Sequence, residues 1–208
     1  MILYETSKST TIPISVDDVK NHLKVSGTGD DSLIDNLIRT ACLYAENMCG
    51  MSIMQHTWYL KLPTFPDSTG HIELPMCRPM STAASPVTVK YLLDDTVTTG
   101  TTYSLSASYY VVSTYSDPPV LYPSYNNEWP SSVRTDPYEG NVIITYSAGY
   151  ATLSSCSLDC PEDIKAWLKI KVADMYEHRQ SYVEGKNITE VKRSIVDGLL
   201  DRYKVGKI

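Results

Sequence analysis

The residues that could do chemistry are four histidines, five cysteines and three pairs of adjacent aspartates, and their spacing favours no common reaction. No histidine lies in a metal-binding spacing such as HExxH, and no cysteine pair completes a zinc set. The aspartate pairs fall at 17–18, 30–31 and 94–95, where helix starts and a turn are predicted. No GxSxG, GxGxxG or P-loop motif occurs. The sequence therefore predicts no catalytic residue, no metal site and no cofactor, and we expect a protein that is not an enzyme.

The cysteines and the charges indicate the class of protein. Cys156 and Cys160 flank a predicted loop and could form a disulfide or half of a metal site. Because the cysteine count is odd, we favour the alternative that the cysteines are buried thiols in a reducing compartment. The net charge of −6 argues against tight wrapping of nucleic acid, although residues 192–208 hold five basic and two acidic side chains. No apolar run reaches the roughly 20 residues that span a bilayer. We expect a cytosolic protein that makes no contact with a membrane.

Apolar residues at helical spacing predict two helices near the start of the chain and two near its end. The first begins after Ser15, the second starts at 30 or 31 and stops before Gly50, and the third covers about 161–179. A final helix begins at about residue 189. The first two helices cannot bury their apolar stripes alone, so we expect them to pack with the C-terminal helices. This predicts an α+β fold whose N- and C-terminal helices form a bundle.

Between the helices, residues 52–150 consist of short strand patterns and turns without a helix. This arrangement predicts an antiparallel β module that is inserted into the helical bundle. We therefore divide the chain into an N-terminal helical part (1–53), the β module (54–150) and a C-terminal helical part with a flexible tail (151–208).

The aromatic residues suggest a contact surface on the β module. The chain has 16 tyrosines and three tryptophans but one phenylalanine, and tyrosine combines an apolar ring with a polar tip that suits interfaces. An equally good explanation is that tyrosine favours strands. Residues 124–140 are predicted to form a long exposed loop. In and beside this loop the possible partner-contact residues are Tyr122, Tyr125, Trp129 and Tyr138.

Several segments, in the same order, resemble the head–tail connector proteins of tailed bacteriophages, also called adaptor or head-completion proteins. The resemblance begins with the pattern I-S-V-D-D-V-K-N-H-L-K-V at residues 14–25 and is spread over most of the chain. Residues 181–208 match no pattern of that family. The segments that carry the resemblance are 14–25, 30–34, 45–50, 53–58, 74–80, 129–130, 142–150 and 160–167.

The resemblance implies a structural protein of the virion at the head–tail interface. Such a protein forms a homo-oligomeric ring under the portal protein, extends the DNA channel and binds the next neck or tail-completion protein, while the genomic DNA only passes through. An acidic wall suits that passage, because weak contact lets DNA slide. We expect the C-terminal tail to be ordered by the portal on assembly. The residues of this predicted portal-docking segment are Lys204, Val205, Lys207 and Ile208.

Two other functions are alternatives on the sequence. A tail-associated protein that binds a carbohydrate or receptor would use the tyrosines and tryptophan of the β module as a stacking surface. A small hydrolase would assemble its active site from residues that are distant in sequence, and a cleft with strongly perturbed pKa values would favour it.

Overall fold

The structure, a computed structural model, describes residues 1–8, 12–67, 69–80, 87–93, 102–134, 140–150, 159–178 and 196–205. Its α-helices are α1 (Val16–Leu23), α2 (Asp31–Cys49) and α3 (Glu162–Glu177), and two short 3₁₀ helices span Ala107–Tyr109 and Gly198–Tyr203. The strands are β1 (Ile2–Lys8), β2 (His56–Leu62), β3 (Ile72–Glu73), β4 (Val87–Leu92), β5 (Thr102–Leu105), β6 (Tyr110–Ser113), β7 (Val120–Pro123) and β8 (Val142–Ala148).

The strands form two antiparallel sheets. One has the order β1-β2-β8-β4-β5 and the other the order β3-β7-β6. With the three helices, these sheets make a mixed α+β fold, which confirms the predicted class and the antiparallel pairing. The outermost strand β1 was not predicted, since its seven residues lie in a segment that was assigned to the helical part.

Local signals in the sequence explain where the N-terminal helices begin and end. Before α1, the Ser15 hydroxyl accepts a hydrogen bond from the Asp18 backbone N–H (3.0 Å), and Asp18 Oδ2 accepts one from the Ser15 N–H (3.4 Å), which forms a capping box. The Ser15 hydroxyl also donates to Asp18 Oδ2 at 2.7 Å, and this hydrogen bond, together with the one from the Ser15 N–H, lowers the pKa of Asp18. After α2, Gly50 adopts φ +71° and donates its N–H to the Glu46 carbonyl at 2.8 Å.

One buried cluster contains side chains from both ends of the chain. Ile34 and Ile38 of α2 are fully buried together with Trp167 and Leu168 of α3, and Leu37 packs against the same cluster. The C-terminal 3₁₀ helix adds Leu200. The helices therefore share an interior although more than a hundred residues separate α2 from α3.

The sheets enclose a second buried cluster. In the five-stranded sheet, Leu60, Ile144 and Val89 stand side by side on β2, β8 and β4 and are fully or almost fully buried. The three-stranded sheet contributes Leu121 to the same cluster. Because the sheets bury an apolar face of their own, the β region has a core distinct from the helical one.

Candidate interaction surfaces

The described part of the chain offers no metal centre. Among its residues, no group of three or more His, Cys, Asp or Glu side chains is placed to hold a metal ion. Its four cysteines are buried: Cys42, Cys49, Cys77 and Cys160. Burial raises the pKa of Cys49 to about 11 and that of Cys77 and Cys160 to about 12, so these thiols are protonated at neutral pH and are poor nucleophiles. Cys156 lies outside the described residues.

Within the ranges that the structure describes, no helix combines the length and the apolar character that crossing a membrane would require.

The predicted aromatic contact residues do not form one exposed group. Tyr125 is 92% exposed and Tyr122, on β7, is 38% exposed, so both rings are accessible to a partner. Trp129 is 4% exposed, because its ring stacks on Phe65 with the centroids 5.0 Å apart. Its indole N–H donates to the Gly70 carbonyl at 2.6 Å. Trp129 is thus a core residue rather than a surface contact, and Tyr138 lies outside the described residues.

The structure adds exposed residues that the sequence analysis did not select. Val111 on β6 is 55% exposed and stands opposite Tyr122 on β7, so the two side chains share one face of the three-stranded sheet. Tyr109 is exposed as well, and its carbonyl accepts a hydrogen bond from the Ser124 N–H at 2.9 Å, which holds it beside Tyr125. We call Tyr109, Val111, Tyr122 and Tyr125 the tyrosine surface. Strand register brings these residues together, and a single sequence does not reveal it.

The predicted portal-docking segment is attached to α2 over its described residues. The Val205 N–H donates to the Cys49 carbonyl at 2.7 Å, and the Val205 Cβ lies 3.4 Å from where a Cβ on Gly50 would be. Lys204 donates to Asp201 Oδ1 at 2.6 Å, and this hydrogen bond raises the pKa of Lys204. The expectation of a free tail is therefore wrong at Val205, since its backbone satisfies a carbonyl at the end of α2. Lys207 and Ile208 lie outside the described residues.

A buried histidine joins the two cores, and the sequence analysis gave it no role. His56 on β2 is 1% exposed; its Nε2 lies 2.8 Å from Glu46 Oε1 on α2, and its Nδ1 lies 2.8 Å from Glu5 Oε1 on β1. Glu46 Oε1 also accepts the backbone N–H groups of Ile53 and Met54, each at 2.8 Å. His56 and Glu46 lie too deep to reach a substrate in solution, so their contacts are structural. We call Glu5, Glu46 and His56 the carboxylate–histidine clamp.

The charge state of the clamp follows from its geometry. Burial alone lowers the pKa of His56, but the hydrogen bonds and negative charges of Glu46 and Glu5 outweigh burial and raise it. A neutral imidazole donates one hydrogen bond, whereas an imidazolium donates to both carboxylates. The arrangement therefore favours the protonated form of His56, whose two N–H groups face the two carboxylates.

Comparison with protein families confirms the resemblance that the sequence segments indicated. The model of the Phage gp6-like head-tail connector protein family matches residues 13–76. This range contains α1, α2, β2, β3 and two members of the clamp, Glu46 and His56. A comparison with curated proteins finds no match.

Solved structures share the fold over the whole chain. A chain described as the neck of an empty GTA particle, computed with C6 symmetry, has a TM-score of 0.71 at 16% identity and covers 100% of this chain and 97% of that one. The neck of a native GTA particle, computed with C12 symmetry, gives a TM-score of 0.70 at 17% identity with the same coverage. The virion of a native gene transfer agent particle gives 0.63 at 17% identity, again covering 100% and 97%. At this identity, the likeness establishes the fold.

Proposed function

We propose that this protein is a structural, non-enzymatic head–tail connector of a phage-like particle, located in the virion neck. The observation that carries the proposal is the coincidence of two independent matches. The connector family model matches residues 13–76, and the fold of the entire chain is similar to chains in particle necks. A protein with another function would have to share both features by chance.

In this proposal the subunits form a ring under the portal, which extends the DNA channel. The similar neck structures were computed with sixfold and twelvefold symmetry, which supports a ring. A closed ring requires two different surfaces on each subunit, because each copy contacts its two neighbours through a heterologous interface. A helical part and a sheet part with separate cores provide such different flanks. The net charge of −6 fits a conduit in which DNA slides without being held.

The division of the chain into the helical parts 1–53 and 151–208 and the β module 54–150 belongs to the same proposal. The helical part contacts the portal through the segment that contains Lys204, Val205, Lys207 and Ile208. The tyrosine surface on the β module contacts the next neck or tail-completion protein, because tyrosines are enriched at the cores of protein interfaces.

Electron cryo-microscopy of particles that contain this protein tests the proposed function. We expect density for the α+β fold as a closed ring between the portal and the tail. Density for the same fold at a tail tip or fibre, with none in the neck, would contradict the proposal. The same particles carrying an affinity tag on this chain provide the control, because the tag density must appear at the ring.

Binding of a carbohydrate or receptor remains a second candidate, because Tyr122 and Tyr125 are exposed. The burial of Trp129 removes the strongest stacking ring from that candidate site. Binding of the full chain to a glycan array would favour this second candidate if the binding is lost in the variant Tyr122→Ser/Tyr125→Ser and kept in Tyr44→Ser on α2. Tyr44 is a suitable control because it is an exposed tyrosine of the helical part.

A further inference from the structure

The buried polar residues of the described chain are concentrated at one place. Five such residues are buried, and four of them are Glu46, Ser52, Gln55 and His56. All four lie on the end of α2, the start of β2 or the segment between them, where the chain passes from the helical cluster to the sheet cluster. Buried polar groups cost free energy unless they are paired, so their concentration marks a junction with a defined geometry.

Hydrogen bonds link other segments to this junction. The Ser52 N–H donates to the Arg78 carbonyl at 2.8 Å, and the Tyr150 N–H donates to the Ile53 carbonyl at 3.0 Å. The Gly149 backbone approaches Met54 so closely that a Cβ on Gly149 would lie 2.1 Å from the Met54 carbonyl oxygen. The segments around residues 53, 78 and 150 are therefore packed against one another without space for an additional atom.

One charged contact links β1 to this junction. Its backbone pairs with β2, at the outer edge of the five-stranded sheet. The ladder is irregular between Glu5 and Ser7, and this is the position where Glu5 reaches inward to His56. The Glu5 side chain is 32% exposed, and its contact with the His56 Nδ1, at 2.8 Å, ties the second half of β1 to the junction.

We propose that the carboxylate–histidine clamp is a proton-dependent latch, which holds β1 and the end of α2 on the sheet while His56 is protonated and releases β1 when His56 becomes neutral. Glu46 keeps its hydrogen bonds to Ile53 and Met54 in both states, whereas Glu5 is partly exposed and can turn to water. The released element is therefore β1. The charged groups that face the imidazole are Glu46 from α2 and Glu5 from β1. In the strand register, His56 pairs with Lys8 on β1 and with Ala148 on β8.

The sign of the pH dependence follows from linkage. Glu5 helps to raise the pKa of His56 in the closed state, and release of β1 removes that contribution, so the pKa is lower in the open state and closing takes up a proton between the two pKa values. The latch is fully effective below the open-state pKa and weakens as the pH rises toward the closed-state pKa. In that interval one proton is released on opening, so the opening equilibrium shifts about tenfold per pH unit.

Hydrogen exchange of the full chain, measured at several pH values and corrected for the intrinsic exchange rate, tests the latch. We expect the protection factors of residues 2–8 to fall about tenfold per pH unit between the open-state and closed-state pKa values of His56, while those of the α2 interior stay constant. In Glu5→Gln the pH dependence of β1 protection should start at lower pH, and in His56→Gln this pH dependence should vanish. The variant His22→Gln, which changes an exposed histidine of α1, should behave as the parent chain.

The protonation state is measured separately, by nitrogen chemical shifts of the His56 ring. Protons on both Nδ1 and Nε2 at pH 7 support the latch, and the measurement needs no variant that might fail to fold. A neutral His56 ring at pH 7 in the folded protein, or protection of β1 that does not change with pH in the parent chain, would overturn the inference. Either result leaves the proposed neck function unaffected.

Discussion

At the scale of single residues, the side chains that determine this structure are those whose partners lie far away in the sequence. Trp129 and Phe65 stack with their rings 3° from parallel, and His56 is held by Glu5 and Glu46. The local sequence around Trp129 contains proline, serine and asparagine, which favoured an exposed loop. Its burial depends on a partner 64 positions earlier in the chain, and a single sequence gives no signal for that pairing.

The burial of Trp129 can be tested by substitution. In Trp129→Ala the stacking with Phe65 and the hydrogen bond to Gly70 are lost, and we expect a loss of about 3–5 kcal/mol in the free energy of unfolding. Urea denaturation measures the change. Tyr125→Ala is the control, because that ring is exposed and its removal should change stability by less than about 0.5 kcal/mol. Similar losses in the two variants would contradict the assignment of Trp129 to the core.

Gly149 gives a second test at the same scale, because its φ of +124° and its close contact with Met54 both require glycine. We expect Gly149→Ala to destabilise the protein by on the order of 4 kcal/mol, or to prevent folding, since the contact is with backbone that cannot move aside. Gly27→Ala is the matched control: its φ is +91° and nothing lies within 4 Å, so strain alone should cost about 1–2 kcal/mol. Equal thermal stability of the two variants would show that the close approach at Gly149 has no energetic weight.

At the scale of elements, the helices were predictable and part of the sheet was not. The predicted starts of α1, α2 and α3 and the predicted ends of α2 and α3 agree with the structure within about two residues, because caps and apolar periodicity are local signals. Strand β1 was missed, since seven residues next to a predicted helix show little periodicity and pair with a strand some fifty residues later. Strand order is likewise a long-range property, so the exposed pair of Val111 and Tyr122 could not be predicted.

The capping box of α1 is the local signal that can be tested most directly. Ser15→Ala removes the hydroxyl that accepts the Asp18 N–H, and we expect a loss of about 1 kcal/mol in the free energy of unfolding. Ser15→Asp should restore most of the stability, because a carboxylate caps the same N–H group. If both variants unfold at the same denaturant concentration as the parent chain, the cap contributes nothing to the stability of the fold.

At the scale of the whole molecule, the C-terminal segment has two roles that an experiment must separate. Val205 fastens the segment to the end of α2, whereas the lysines at 204 and 207 are proposed to bind the portal. Deleting residues 204–208 would abolish both roles, so a loss of binding in that variant could reflect a weakened helix end. Substituting the lysines alone removes their charge and keeps the backbone hydrogen bond from Val205 to Cys49.

We therefore expect Lys204→Gln/Lys207→Gln to keep the thermal stability of the parent chain while its affinity for the portal ring falls. Two surface charges are worth about 1 kcal/mol or less each, which corresponds to a loss of up to roughly thirtyfold at low salt and a smaller loss at high salt. Sedimentation of the purified protein with portal rings at two salt concentrations measures this. Lys24→Gln at the end of α1 is the matched control, since it removes an exposed lysine from another part of the helical body. Unchanged portal binding in both the double lysine variant and the 204–208 deletion would exclude the C-terminal segment as the docking element and would move the search to the remaining surface of the helices.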